Sequence, residues 1–399
     1  MPTAAHRRSF AIPPDVAVEM RGWRTRCLLV GVAALIVGAI GAFFNAEQFF
    51  RSYVWCYMFF IGLPLGATAV LMLQYLTGGA WGVVIRRLCE AASRTLPLML
   101  ILFIPIVIGI RYLYPWSHPD LVAHDPVLRH KQVYLNLPFF LIRAAVYFAG
   151  WNLIAHLLYK WSGEQDRGDQ RAGHRLAALS GPGLIFFCFS VTFMAIDWVL
   201  SINPNWFSTI FGLLFIIGEG LSAIAFLICM LVLLSRRQPL ADVLTPRHLH
   251  DVGKLLLAFV MVWAYFTFSQ LLVIWSGNLP DEIPWYLNRF YGGWQYLGVA
   301  LAAFQFALPF LLLLSRDLKR NFTLLRNVAL LVIGMRFVDL YWMVAPDFHK
   351  QHFFISWMDF VLPVALGGIW LGVFLWQLEL RPLLPLGDPL LQKALEHGE

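Results

Sequence analysis

The sequence predicts an all-α polytopic membrane protein of about ten transmembrane helices. Three observations carry that prediction. Apolar runs of roughly 18 residues or more recur along the whole chain, the length a helix needs to cross a bilayer. Charged residues make up only 13% of the 399 residues and hydrophobic ones 59%, where a soluble protein is roughly one quarter charged. The mean hydropathy of +0.68 points the same way. Third, lysine and arginine concentrate in alternate interhelical loops. A β-barrel is excluded because the runs are continuous instead of alternating apolar and polar. The net charge of +7 follows from loop placement, and no nucleic-acid partner follows from it.

Residues 1–26 are polar and basic and read as a cytoplasmic N-terminal tail. The first span, near Cys27–Ala46, has no small-residue cleavage site and reads as a retained helix, not a removed signal peptide. The next spans fall near Ser52–Leu76, then Arg94–Leu113 after an amphipathic stretch Trp81–Ser93, then Tyr134–Trp161 and Gly183–Ile202. The second half repeats the pattern near Trp206–Leu234, Val252–Trp275, Gly293–Ser315, Leu324–Val344 and Phe353–Gln377. One membrane domain over 27–377 and a cytoplasmic tail over 378–399 result. The loops Tyr114–Val133 and Ser162–Ser180 are too short to fold as domains, and the second reads as irregular. Prolines 64, 97, 105, 309 and 363 interrupt spans, each removing a backbone donor. They are scattered, and no inverted repeat accompanies them.

Orientation follows from the basic residues. The N-terminus (including Arg7, Arg8 and Arg24), the loops after spans two, four, six and eight, and the C-terminal tail (including Arg381 and Lys393) carry about twenty, against about five on the other side. Both termini are therefore expected in the cytoplasm, in agreement with an even number of spans.

Several ionisable residues fall at membrane depth, where they are costly and usually functional. Asp197 lies in the outer half of span five and Glu219 near the middle of span six, with the turn Ser201–Trp206 between them. Arg143, Arg336, Asp339 and Asp359 join Asp197 in an expected outer cluster. Asn152, His156 and Lys254 form an expected inner one. Such a series can relay protons, because burial favours the neutral forms and neighbours restore the charged ones. The same residues also read as packing devices: Arg143–Asp197 as a buried ion pair, Arg336–Asp339 as a local pair three residues apart on one helix, and Lys254 as a snorkelling side chain. Glu219, flanked by Gly218 and Gly220, has no such structural role in view.

The remaining chemistry is sparse. Cys27, Cys56, Cys89, Cys188 and Cys229 form no CxxC or CxxCH, so neither covalent haem nor a clustered iron–sulfur ligand set is visible. Only His156 lies well inside a span, which argues against a bis-histidine haem held by this chain. The aromatics read as interfacial belts and packing surfaces.

The stretches AIDWVLSINPNWFSTIFG, DVGKLLLAFVMVWAYFTFSQLLVIWSGNLPDE, FVDLYWMVAPDF and RPLLPLGDPLL resemble the smaller of the two polysulfide-reductase/NrfD-type membrane subunits of bacterial alternative complex III, its F subunit. EQFFRSY and the following LMLQYLTGGAWGVVIRR are similar too, and the resemblance covers nearly all of residues 22–392. It implies ten helices, with four-helix bundles from spans two to five and six to nine. It further implies a bacterial inner-membrane complex that oxidises quinol and passes electrons to a cytochrome c or a terminal oxidase. The implied partners are a larger homologous membrane subunit, an iron–sulfur subunit, and multihaem and monohaem cytochrome c subunits. Haem c and iron–sulfur clusters would lie in those partners, and no redox cofactor in this chain. One departure stands out: relatives often carry an acidic residue and a histidine in the turn that here reads Asn203-Pro204-Asn205.

Four readings compete at this level. The chain is a cofactor-free subunit with a proton path; or it binds quinone itself, with Asp197 and Arg143 or Gln270 at the ring; or it is a secondary transporter; or it is a scaffold whose charges only fix helix packing.

Overall fold

The computed structural model describes residues 12–350 and 352–391. Arg7, Arg8 and Lys393, counted above for orientation, lie outside them. Among the described residues there is no strand, and ten helices or helical runs are long and apolar enough to cross a membrane. Spans one to ten are Pro14–Phe44, Ala46–Thr77, Arg86–Ile108, Leu137–Asp166, Ala172–Ile202, Phe211–Leu234, Pro246–Gly277, Trp294–Leu314, Phe322–Phe348 and Met358–Glu379. The chain is an all-α polytopic membrane protein. Its ten crossings return both ends of the described chain to one side, called the tail side below; the opposite side is the far side.

Spans two, three, four and five form one four-helix bundle, and spans six, seven, eight and nine form the other. Spans two and six join them face to face. Gly66 makes that crossing close: a Cβ there would collide with the backbone carbonyl of Glu219. Spans one and ten pair outside the bundles, in contact through Gly31 and Gly368, where any side chain would meet backbone of the other helix. Span two is the axis, with 89% of its apolar window buried against 17% for span one.

Span one starts at Pro14, well before Cys27. Proline at the first turn and Asp15 beside it are favourable at a helix start. Val16 and Met20 are buried, and Arg24 and Glu19 bond Glu379 and Arg237 at 3.0 and 2.7 Å. Much of the expected N-terminal tail is thus docked helix. The loop Ser162–Ser180, expected to be irregular, is mostly helical: span four continues to Asp166 and span five resumes at Ala172.

Span three breaks where Pro97 and Pro105 interrupt its hydrogen bonding, giving short helices Leu96–Leu102 and Ile104–Ile108. Carbonyls freed at the breaks find partners in span two. Tyr53 Oη donates to the Leu102 carbonyl at 2.6 Å, and Tyr57 Oη to that of Met99 at 2.9 Å. Span eight contains a π-helical segment, Leu301–Ala307, with Pro309 two residues past its end.

Candidate functional site

Four groups of buried charged residues lie along the bundles, and others hold their ends. In the first bundle Arg143 of span four meets Asp197 of span five. Its Nε and Nη2 donate to the two carboxylate oxygens at 2.8 and 2.9 Å, a bidentate fork. Tyr147 Oη donates to Asp197 Oδ2 at 2.8 Å, and Arg143 Nη1 to the Tyr134 carbonyl at 2.9 Å. The guanidinium also lies 3.8 Å from the Tyr134 ring centroid. Asp197 is fully buried.

In the second bundle Arg336 pairs with Asp339, one turn along span nine. Trp263 Nε1 of span seven donates to Asp339 Oδ2 at 3.0 Å. Asp197 and Asp339 stand at the same spacing before Pro204 and Pro346, on spans that run in the same direction. Each bundle therefore carries an arginine–carboxylate pair at this position.

Glu219 lies between these pairs, on span six where it crosses span two. Its neighbours are Gly62 and Gly66 of span two, and the charge beside it is Arg336, whose guanidinium packs over Gly218. Among the described residues neither carboxyl oxygen has a hydrogen-bond partner, and neither has Arg336 Nε. Glu219 is thus a buried carboxyl with an arginine beside it but, among the described residues, no hydrogen bond to its oxygens, unlike the carboxylates of the other groups.

The fourth group lies on the tail side. Arg86 pairs with Asp388 and donates from Nη2 to Gln74 Oε1 at 2.9 Å. Arg87 bonds Glu90 and Ser162 at 2.6 and 2.9 Å and also pairs with Asp166. Ser162 closes the network on Glu90 at 2.5 Å, and Arg381 approaches the same carboxylate at 3.5 Å. A cavity of about 670 Å³, lined among others by Gln74, Tyr75, Arg86, Gln165, His174 and Asp388, adjoins this group. Residues 86–93 are completely buried, so the stretch read as amphipathic is a charged internal helix. Nothing in the residue types separates Arg86 and Arg87 from ordinary loop cations that set topology. The signal lay in Glu90, one turn along the same stretch.

The expected clusters form only in part. Asp359 stands apart from Asp197 and Asp339. It accepts from the Ser356 amide at 2.8 Å and from Trp55 Nε1 at 3.3 Å, holding the start of span ten. The expected inner trio does not assemble. His156 is exposed on span four, Lys254 is exposed and bonds Asp251 at 3.0 Å, and Asn152 donates to its own helix at the Phe148 carbonyl. Sequence position places a residue along its helix but not around it, and His156 and Lys254 face outward.

The turn 203–205 is bound on its far-side surface. Asn203 Nδ2 donates to Asp347 at 3.2 Å, and Lys131 donates to the Pro204 carbonyl at 2.5 Å. Asp347 also pairs at 2.8 Å with Arg289, a fully buried arginine lying 3.5 Å from the Trp285 ring centroid. Burial lowers the Arg289 pKa, while the Asp347 charge opposes that shift. No group of three or more His, Cys, Asp or Glu side chains that could hold a metal occurs among the described residues. No protein-family model matches the chain, and no curated protein sequence matches it.

Proposed function

We propose that this protein is an integral membrane subunit of a respiratory quinol:cytochrome c or quinol:oxidase oxidoreductase, related to the F subunit of alternative complex III. It holds no redox cofactor of its own, sits in a bacterial cytoplasmic membrane with both termini cytoplasmic, and scaffolds its partners. Those partners are a larger homologous membrane subunit, an iron–sulfur subunit and cytochrome c subunits. In this reading it also conducts protons.

The observation that carries the proton role is Glu219. It is a carboxyl buried at the crossing of the two bundles, without a hydrogen-bond partner and beside Arg336. A purely structural carboxylate in such a place would be expected to be paired. The tail-side cavity lined by Arg86 and Asp388 supports entry from the cytoplasm. Arg336, Asp339 and the Arg143–Asp197 pair support exit on the far side. The motif resemblance supports the complex, and the arginine–carboxylate pair in each bundle is consistent with its paired-bundle plan.

The test is affinity purification of the chain from its native membrane in mild detergent, followed by mass spectrometry and a haem absorbance spectrum. Co-purification of multihaem cytochrome c and iron–sulfur subunits with quinol oxidation is the expected result. A chain that emerges alone and colourless overturns the assignment and reopens the transporter reading.

A further inference from the structure

A cavity of about 450 Å³ lies on the far side, between the ends of spans three and four and the two short helices that connect them, Pro119–His124 and Pro126–Lys131. Ile110 and Arg111, just past the end of span three, line it, as do Asn136 and Leu137 at the start of span four. It therefore sits at the level where the bilayer meets water.

The charges on this cavity are of one sign. Arg111 and Arg129 line it, and no carboxylate does. Other far-side arginines are engaged, Arg51 with Glu47 and Arg289 with Asp347. Among the described residues Arg111 and Arg129 form no ion pair, and Arg129 is steadied by donating from Nη2 to the Ala123 carbonyl. Two cations on one acid-free cavity disfavour each other, and an anion between them relieves that cost. Trp116 also lines the cavity; it is 5% exposed, and its Nε1–H has no partner among the described residues. A buried indole donor is ordinarily bonded. Packing against Tyr114 and Phe140, at centroid distances of 5.1 and 5.4 Å, fixes the ring. The first turn of span four adds the positive end of a 30-residue helix.

The rest of the lining is apolar, with Ile110, Val122, Leu135 and Leu137. Deeper on span three, Ile101, Ile104 and Ile108 are each more than half exposed on a membrane-spanning segment. This apolar row begins three residues before Arg111 and leads from the cavity into the bilayer. Donors for an anion thus stand directly above a surface for hydrocarbon.

We infer that this cavity binds the phosphate of a phospholipid from the far-side leaflet. Arg111 and Arg129 donate to the phosphate oxygens, the geometry in which a guanidinium binds most strongly, and Trp116 Nε1–H donates to a third acceptor. The acyl chains lie along Ile108, Ile104 and Ile101. A free phosphate ion would meet the same donors but leave the apolar lining and the row below it without a partner. The inference goes beyond the proposed function and does not rest on it, since it needs only a chain that spans a bilayer.

The test is photolabelling of the tagged full-length chain in a maltoside detergent, which carries no phosphate. The probe is phosphatidylglycerol with a diazirine in its headgroup, and adducts are mapped by mass spectrometry. Adducts within residues 110–117 or 129–137 are expected. Excess unlabelled phosphatidylglycerol should prevent them, whereas diacylglycerol with the same chains and excess inorganic phosphate should not. Both arginines are exposed and in no ion pair, so Arg111→Gln with Arg129→Gln leaves the fold intact by gel filtration and should lower labelling at least tenfold. Trp116→Phe keeps a packed ring, removes the donor and should weaken labelling about three- to tenfold, the worth of one hydrogen bond. Lys350→Gln removes a far-side cation that does not line the cavity, and labelling should stay unchanged. Adducts confined to other segments, or labelling unaffected by the arginine or tryptophan changes, would overturn the inference. Displacement of the probe by inorganic phosphate would overturn the lipid as occupant and make this a site for a free anion.

Discussion

The Arg143–Asp197 pair sets a quantitative test of how this bundle is held together. Asp197 is fully buried and receives two guanidinium hydrogen bonds at 2.8 and 2.9 Å and one from Tyr147 at 2.8 Å. Arg143→Met leaves that carboxylate with Tyr147 alone, a loss of about 3–5 kcal/mol. Asp197→Asn keeps the shape but strands the guanidinium, which is slightly exposed and retains the Tyr134 carbonyl. Its cost falls at about 3 kcal/mol, the lower end of that range. With both changes no unpaired charge remains, so the double variant should lose less than the sum of the singles by about 2 kcal/mol or more. Tyr147→Phe, which removes one hydrogen bond to a charge, should cost about 1.5–3 kcal/mol. The assay is equilibrium unfolding of the detergent-solubilised chain in a double-mutant cycle. Additivity within about 0.5 kcal/mol would refute the argument, because the two side chains would then not be sharing a buried interaction.

Further outcomes follow from other parts of the structure. Gly66→Val drives a side chain into the Glu219 carbonyl and should collapse the yield of folded protein, whereas Gly22→Ala, with open space around it, should not; expression and gel filtration compare them. Asp388→Ala strands the buried Arg86 and should destabilise the chain by about 3–5 kcal/mol, freeing residues 383–391 to limited proteolysis. His349, beyond the end of span nine, has its pKa lowered from 6.5 by burial first and by the Arg51 charge second. Its contribution to stability is therefore complete above pH 6.5 and is lost as pH falls through the lower folded-state value. Its carbonyl accepts from Trp294 Nε1 at 3.0 Å, so hydrogen exchange near residues 293–295 and 349–356 should quicken on acidification. The His349→Phe variant should lack that response.

The spans were legible because a bilayer demands long apolar runs, and that demand leaves a strong one-dimensional signal. Depth was legible for the same reason: Arg143 and Asp197 lie at matching heights on adjacent helices and do meet. Rotation about the helix axis was not legible. His156 and Lys254 face outward, because a position along a span does not say which side of the helix packs against its neighbours. Arg86 and Arg87 were hidden differently. Loop cations that set topology and cations that build an internal network have the same composition, and their partners Asp166 and Asp388 are remote in sequence. Glu219 was legible because nothing near it in sequence could neutralise it, and in the structure its carboxyl oxygens have no hydrogen-bond partner.

The central claim is that this buried carboxyl carries protons within a quinol-oxidising complex. The most direct measurement is proton release per quinol oxidised, in sealed vesicles bearing the native complex or its Glu219→Gln counterpart. Glutamine preserves shape but cannot exchange a proton. The account predicts an intact complex, with the same subunits and haem spectrum, whose proton yield per quinol falls below that of the native complex. An intact complex with an unchanged yield would contradict it and leave Glu219 as a packing residue at the crossing of spans two and six.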